Sequence, residues 1–320
     1  MNLGAVLGSL RATDVARLAP RRAVPPGPPE GRYLPDGGID RSLDLARRAG
    51  HPADLVRALA STLSVLDPRT RRAVVDPIGR LGVHSRSDGG ALVRPVELGG
   101  DRAQQTDATT CGSAVLGLLA AVGDPVLALW LATGLRPGDA PGSGRRPWTG
   151  GAARFGELQR AVKRRTNRAA LGPLPWPAAL GTPPWGAART ARYADVRYGE
   201  RVVRGRSGSG DPEPEVRAAL VAAARGVPVP LFTGGDLALG IETAVPRHVV
   251  LLALADAQLR RCQVYEPSTG TVHDLETGAL LDGRHTPEVR RALGGWPHVC
   301  WALLPSGRAG EATGPAGGWT

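Results

Sequence analysis

Apolar residues recur at helical spacing through the first two thirds of the chain and at strand spacing in the last third. In segments 52–66 and 154–165, apolar positions fall three and four residues apart and form one apolar face, while 115–122 is a continuous apolar stretch. Asp124 and Pro125 supply an N-cap and a first-turn proline, while Gly134 and Gly226 are helix-ending glycines. These patterns predict helices over 41–49, 52–66, 111–122, 125–134, 154–165 and 211–224.

Beyond residue 226 the apolar pattern changes to short runs separated by turn-forming residues. The runs predict strands over 227–232, 248–254, 263–265, 271–275 and 299–304. Helices that come first and strands that follow predict an α+β architecture with segregated layers, in which N-terminal helices pack on a C-terminal antiparallel β-sheet.

Segments rich in proline and glycine suggest how the chain is divided. We predict a helical and irregular region of unassigned role over 1–95, a main domain over 96–305 and a disordered glycine-rich tail over 306–320. Extended, irregular or loop segments are predicted over 19–38, 81–103, 136–151, 171–187 and 205–214.

Composition changes this picture little. The chain has 320 residues, of which 42% are hydrophobic, enough for a substantial core. The net charge of +11 comes from arginine, since Lys163 is the only lysine. Small, scattered arginine clusters are typical of a solvated surface, so we expect no nucleic-acid partner.

Three cysteines, an odd and low number, predict no disulfide framework and a reducing compartment. No apolar run approaches the roughly 20 residues that span a bilayer, and the N-terminus does not resemble a signal peptide. We therefore expect a cytoplasmic protein without membrane contact, and leaderless export stays open. Cys262, Cys300, His273 and His298 match no standard zinc spacing, so no metal or cofactor is expected.

Cys111 is the strongest candidate for chemistry. It stands where a helix should begin, and the unpaired N–H groups and positive dipole end of a helix start favour a thiolate. Gln105, six residues earlier, can offer its side-chain amide to an oxyanion, beside the backbone N–H of Cys111. Gly112 would let a substrate approach the backbone closely.

A partner for the thiol is predicted further along the chain. If strands 248–254 and 262–266 form a hairpin with its turn near residue 257, His248 stands directly opposite Glu266 on the same face of the sheet. One imidazole nitrogen can then contact Glu266 and the other Cys111, the arrangement of nucleophile, base and orienting acid. A lone cysteine or histidine is more often a packing residue, but Gln105, Cys111, His248 and Glu266 in this order favour catalysis.

At these residues the chain resembles the papain-like cysteine peptidases, above all the double-glycine leader peptidases of bacteriocin exporters and their stand-alone bacterial relatives. In that family a glutamine is followed, after five intervening residues, by cysteine and glycine, and an aspartate commonly stands two residues after the glutamine. Further along the chain come a Gly-x-Pro-Val strand, a histidine that opens another strand, and an acidic residue followed by proline. The matching residues are Gln105, Asp107, Cys111, Gly112, the segment from Gly226 to Val229, His248, Glu266 and Pro267.

The resemblance covers about 100–305 and implies a papain-like fold with a Cys111–His248–Glu266 triad and Gln105 as oxyanion donor. It implies a thiol-dependent hydrolase that acts on a peptide or amide bond of a peptide or protein substrate. Two alternatives stay open: an acyl transferase of the transglutaminase or deamidase type, and a non-catalytic peptide-binding module of the same fold. Glu266 departs from the family's usual aspartate, and the long spacing from Cys111 to His248 implies insertions at 136–151 and 171–210.

Overall fold

The computed structural model describes residues 38–80, 92–139, 150–168, 170–203, 214–235, 246–281 and 286–308. The predicted α+β class is confirmed, because helices pack on a large antiparallel sheet. The described helices are α1 (Ile39–Arg48), α2 (Ala53–Val65), α3 (Pro68–Val75), α4 (Cys111–Gly123), α5 (Pro125–Thr133), α6 (Gly151–Asn167), α7 (Pro184–Thr190), α8 (Pro214–Ala224), α9 (Thr277–Leu281) and α10 (Pro287–Ala292). The strands are β1 (Val93–Pro95), β2 (Glu97–Leu98), β3 (Asp101–Arg102), β4 (Arg192–Tyr193), β5 (Val196–Val202), β6 (Val229–Gly234), β7 (Pro246–Ala255), β8 (Arg261–Glu266), β9 (Thr271–Glu276) and β10 (His298–Arg308).

Helix α4 is the central helix of the fold. Its sequence is apolar on every side, and all 13 of its residues are buried, as expected for a helix inside a core rather than on its surface. It ends at Asp124, whose carboxylate caps the next helix by accepting hydrogen bonds from Val126 N–H at 3.0 Å and Leu127 N–H at 3.3 Å. Gly134 closes α5 in the left-handed conformation, at φ 77°.

Eight strands form one antiparallel sheet in the order β1-β9-β8-β7-β6-β10-β5-β4, while β2 and β3 form a separate pair. Side chains alternate between the two faces of the sheet. Val249 and Leu251 belong to the core that contains α4, and their neighbours Val250 and Leu252 belong to a second core with α8. Both faces are therefore covered, which explains why the runs in the central strands are almost continuously apolar.

The N-terminal helices share the core of the main domain. Leu45 of α1 and Ile78, which follows α3, lie in the same apolar cluster as α4. Strand β1 pairs with β9, so the sheet begins before residue 96, and β10 continues to Arg308. The division at residue 95 stays a prediction. Of the predicted loops, irregular segments and tail, residues 19–37, 81–91, 140–149, 205–213 and 309–320 lie outside the described residues.

The predicted loops and irregular segments contain more structure than expected. Residues 81–103 include β1, β2 and β3, and the predicted 171–187 loop contains a 3₁₀ turn (Ala178–Leu180) and the start of α7. Strands β4 and β5, helix α9 and helix α10 were also not predicted. The strand β5 extends the sheet by pairing with β10, which explains why a polar, glycine-containing segment is stable there.

The predicted register of the β7–β8 hairpin is wrong. The observed ladder pairs Leu251 with Tyr265 and Leu252 with Val264, a shift of two residues from the predicted pairing. A bulge between Leu252 and Leu254 increases the shift to three residues nearer the turn. The turn is longer than assumed because the Asp256 carboxylate accepts hydrogen bonds from Arg260 N–H at 2.7 Å and Arg261 N–H at 3.0 Å.

Within the described residues, no single helix has the length and apolar character to cross a bilayer; α4 and α5 meet that criterion only together, across a bend of 114°.

Candidate active site

Cys111 is the first residue of α4, as predicted. Its side chain is 5% exposed and lines a cleft of about 270 Å³. Thr110 is the N-cap but makes no side-chain capping bond, and the first turn of the helix contains no acidic residue. The N–H groups and the dipole of the helix start therefore act on the thiol without a competing carboxylate in that turn.

A hydrogen-bonded loop leads into Cys111. The Asp107 carboxylate accepts from Thr109 N–H at 2.7 Å and from Thr109 Oγ1 at 2.6 Å. Lys163 of α6 donates to Thr109 Oγ1 from the other side. Partial burial opposes ionisation of Asp107, but the Thr109 hydrogen bonds and the Lys163 charge lower the pKa of this carboxyl. The Asp107 of the sequence motif thus orders the loop next to Cys111.

His248 and Glu266 are in contact, although the register that predicted their meeting is wrong. His248 Nε2 lies 2.8 Å from Glu266 Oε1, and His248 and Cys111 line the same cleft. Burial disfavours the imidazolium, but the interactions with Cys111 and Glu266 outweigh it and raise the pKa of His248 to about 9. This rise in pKa favours the protonated imidazole.

Glu266 is buried, 1% exposed, and its carboxylate has several donors. Beside His248, Oε1 accepts from Ser268 N–H at 2.8 Å, and Oε2 accepts from Ser268 Oγ at 2.8 Å and Thr269 Oγ1 at 2.7 Å. Burial alone would raise its pKa, but the hydrogen bonds from His248, Thr269 and Ser268 lower the pKa of Glu266 to about 2. The acid stays ionised and holds the imidazole by charge.

Gly294 sets the position of the histidine ring from the other side. It has φ +71°, and a Cβ placed on it would lie 2.2 Å from Cδ2 and 2.6 Å from Nε2 of His248. The ring therefore lies directly on the Gly294 backbone. The carbonyl of neighbouring Leu293 accepts from the buried Thr233 Oγ1 at 3.0 Å, and Thr233 pairs with His248 in the sheet.

The cleft wall is neutral apart from His248. The segment Ala179–Thr182 forms one side, and the half-buried Trp296 lies among the lining residues with Phe232. This segment belongs to the predicted 171–187 loop. Trp176 and Trp185, which come from the same region, instead pack edge to face with ring centroids 5.3 Å apart.

Gly112 has a different role from the one predicted. A Cβ on Gly112 would lie 2.6 Å from Thr182 Oγ1 and 2.7 Å from Thr182 Cβ. The space beside Gly112 is thus filled by Thr182 and is not open to a substrate in that direction. Glycine is required here because the 179–182 segment packs directly on the nucleophile helix.

Gln105 lies close to the acid but is not among the residues that line the cleft. Its backbone N–H donates to Pro267 O at 2.8 Å, which attaches the nucleophile loop to the residue after Glu266. Its side-chain Nε2 donates to Asp107 O at 2.9 Å and carries a second hydrogen. The described residues offer no hydrogen-bond partner to its buried Oε1.

Several residues that support the site were not found from the sequence. Thr182 and Gly294 contact the site from segments far away in the chain, and no local pattern marks them. The fully buried Gln159 of α6 bridges the nucleophile loop, because its Oε1 accepts from Thr106 N–H and its Nε2 donates to Gln104 O, both at 3.0 Å. A polar residue on the apolar face of a predicted helix was the available signal for Gln159.

The cysteines and histidines that were considered for a metal site, Cys262, Cys300, His273 and His298, are not among the residues that line the cleft. Cys262 and Cys300 are buried and, like Cys111, not in disulfides. Burial raises the pKa of the Cys262 thiol to about 12, which keeps it protonated. The described residues contain no group of three or more His, Cys, Asp or Glu side chains arranged to hold a metal ion.

Comparison with known proteins identifies no relative: no protein-family model matches the chain, and no curated protein matches its sequence.

Proposed function

We propose that this chain is a thiol-dependent hydrolase with a papain-like site that cleaves a peptide or amide bond of a peptide or protein substrate. The observation that carries the proposal is the pairing of His248 with Glu266, 2.8 Å apart, in the cleft that Cys111 also lines. The position of Cys111 at a helix start, on the wall of a cleft, supports the same function.

The proposed reaction has two steps. The Cys111 thiolate adds to the carbonyl carbon, and protonated His248 donates its proton to the leaving amine as the C–N bond breaks, which leaves a thioester. Neutral His248 then removes a proton from water, whose oxygen displaces the Cys111 thiolate and releases the acid, which restores the starting thiolate and protonated His248. Glu266 keeps its charge throughout and holds the ring in position.

The oxyanion of each tetrahedral intermediate needs donors. The Cys111 N–H lies in the first helical turn, where it has no partner within the helix. Gln105 is the second proposed donor, and its Nε2 keeps one hydrogen after donating to Asp107 O. Loss of such a donor typically lowers the rate by about 10²–10³.

The alternatives use the same site. An amine acceptor in place of water gives transglutamination, and a glutamine side chain as substrate gives deamidation. A non-catalytic module would bind peptide in the cleft without forming a thioester.

We would test the proposal first through the alkylation of Cys111 by iodoacetamide across a range of pH, followed by mass spectrometry. Cys111 should react faster than Cys262 and Cys300 near neutral pH, because protonated His248 stabilises its thiolate. His248→Ala should remove the difference. His273→Ala is the matched control, since His273 is also buried but bonds to Thr271 Oγ1 at 3.1 Å and not to the thiol.

Retention of the fast reaction in His248→Ala would contradict a histidine-activated thiol. If the wild-type Cys111 reacts no faster than the other two cysteines, the peptide-binding module becomes the better assignment.

A further inference from the structure

A row of cations lies along helix α6 and on Arg168, the residue that follows its last turn, beside the cleft. Between residues 157 and 168 the sequence has five basic side chains and a single acid, Glu157. Arg160, Arg164 and Arg168 are exposed, and among the described residues no carboxylate lies within ion-pair distance of them. We call these three residues, with Lys163, the α6 cation row.

The arrangement of this row is unfavourable for an isolated helix. Arg160, Arg164 and Arg168 follow one another at intervals of four residues, so like charges are neighbours on one face and repel. The helix dipole compensates for Arg164 in the last turn but not for Arg160 in the middle of the helix. An anionic partner would relieve the repulsion.

Some arginines of the fold have acidic partners. Arg48 contacts Asp195 at 2.6 Å, and Arg291 contacts Glu288 at 3.3 Å. Exposed Arg47 and Arg57 also have no carboxylate of the described residues within ion-pair distance. What distinguishes the α6 cation row is its four-residue spacing and its place beside the cleft.

Lys163 joins the row to the cleft. Its ammonium donates to Thr109 Oγ1, and Thr109 lines the cleft two residues before Cys111. Asp107 is the carboxylate that faces Lys163 there. The cation row thus extends from the cleft rim along α6.

We infer that the α6 cation row docks an acidic stretch of the substrate that flanks the bond to be cleaved; the inference rests on the proposed function. Apart from His248 and the proposed Cys111 thiolate, the cleft wall has no charged side chain, so the acidic residues lie outside the cleft and beside it. Successive arginines of the row are about 6 Å apart along the helix. Alternate residues of an extended peptide are about 7 Å apart, so acids at every second position match the row.

The test measures the binding of a fluorescein-labelled hexaglutamate to the full chain by fluorescence anisotropy at low salt. Arg160→Gln combined with Arg164→Gln should weaken binding by about three- to tenfold, given the usual strength of exposed ion pairs. Arg47→Gln combined with Arg57→Gln is the matched control, because it removes the same charge from exposed positions of α1 and α2. The control should bind as the wild type does.

Equal losses in the two double variants would mean that only net charge matters and would overturn the inference. An oligothymidylate that binds more tightly than hexaglutamate, and is lost in the α6 variant alone, would assign the row to nucleic acid and also overturn it.

A second measurement separates this inference from the proposed function. Peptides that join hexaglutamate to hexaalanine, with the acidic block at either end, should protect wild-type Cys111 from iodoacetamide, and the α6 double variant should lose that protection. If Cys111 shows no enhanced reactivity, the proposed function fails, while the anisotropy result still decides whether the row binds acidic peptide. If Cys111 is reactive but the row variants bind normally, only the docking inference fails.

Discussion

Glu266 reaches His248 along a diagonal of the sheet, and this geometry suits the longer acid. The ladder pairs Leu251 with Tyr265, so Glu266 lies opposite Val250 and has His248 as its diagonal neighbour. The backbone positions of two diagonal neighbours are about 7–8 Å apart, which is farther than for two directly opposed residues. The extra methylene of glutamate, compared with aspartate, therefore helps the carboxylate to contact both the imidazole and the turn after β8.

Gly294 gives the sharpest prediction at the scale of single residues. Gly294→Ala should displace the His248 ring, because the new Cβ would lie 2.2 Å from Cδ2. We expect Cys111 alkylation near neutral pH to fall by about tenfold or more, since the thiol loses its aligned partner. NMR titration should show that the pKa of His248 falls from about 9 towards its usual value, because its interactions with Cys111 and Glu266 weaken.

Gly295→Ala is the matched control for this prediction. Gly295 has φ +88°, so alanine introduces backbone strain of the same kind, but nothing lies within 4 Å of its Cβ. Both variants should lose about 1–2 kcal/mol of stability through left-handed strain. Equal Cys111 reactivity in the two variants would show that the Gly294 contact does not position the ring.

At the scale of elements, local sequence predicted helices better than it predicted pairing. The start of α4 at Cys111 follows from an apolar run and its preceding polar residues, which are neighbours in sequence. The β7–β8 register depends instead on the Asp256-capped turn and the bulge before Leu254. His248 and Glu266 still share a face because the shift near the site is two residues, and an even shift preserves the face.

Contacts between distant segments account for most of what the sequence did not predict. Strand β5 is polar and contains Gly199, and its place in the sheet depends on pairing with β10 about one hundred residues later. Thr182 fills the space beside Gly112, and Gly294 lies under His248, through the same kind of long-range packing. A single sequence contains the residues of the triad but not the side chains that orient them.

Helix α6 supports the nucleophile loop through Gln159, and this connection can be tested. Gln159→Leu should cost about 2–4 kcal/mol of stability, because Thr106 N–H and Gln104 O lose their hydrogen-bond partner. The loop before Cys111 should loosen, and Cys111 alkylation should slow. Chemical denaturation and alkylation kinetics of the same variant measure both effects.

Glu157→Leu is the control on the same helix. Glu157 is exposed, so its replacement by leucine should change stability by less than about 0.5 kcal/mol. A Gln159→Leu variant as stable and as reactive as this control would show that the bridge from α6 does not hold the loop.

At the scale of the whole molecule, the proposed triad joins separate parts of the chain into one unit. Cys111 comes from the central helix, while His248 and Glu266 come from neighbouring strands of the sheet. The turn after Glu266 is attached to the nucleophile loop through Gln105 N–H and Pro267 O, and Tyr265 donates its hydroxyl to Ala103 O at 2.6 Å. Ionisation of the triad should therefore affect the stability of the whole fold.

The pH dependence of unfolding should show this coupling. His248 has a pKa of about 9 in the fold and 6.5 as its reference value, so its contribution is complete below pH 6.5 and is lost as pH rises through 9. Glu266 has a pKa of about 2 against a reference of 4.5, so its contribution is present above pH 4.5 and is lost as pH falls through 2. The triad should stabilise the fold most between these two transitions.

Denaturant unfolding of the wild type and of His248→Ala, compared at each pH, isolates the histidine. The difference in unfolding free energy should shrink by up to about 3 kcal/mol between pH 6.5 and 9, because each unit of pKa shift corresponds to about 1.4 kcal/mol. Buried Cys262, with its pKa raised from 9.0 to about 12, destabilises only above pH 9 and does so in both proteins. Parallel curves over the whole range would mean that folding does not raise the pKa of His248, and the imidazolium of the proposed mechanism would then lose its support.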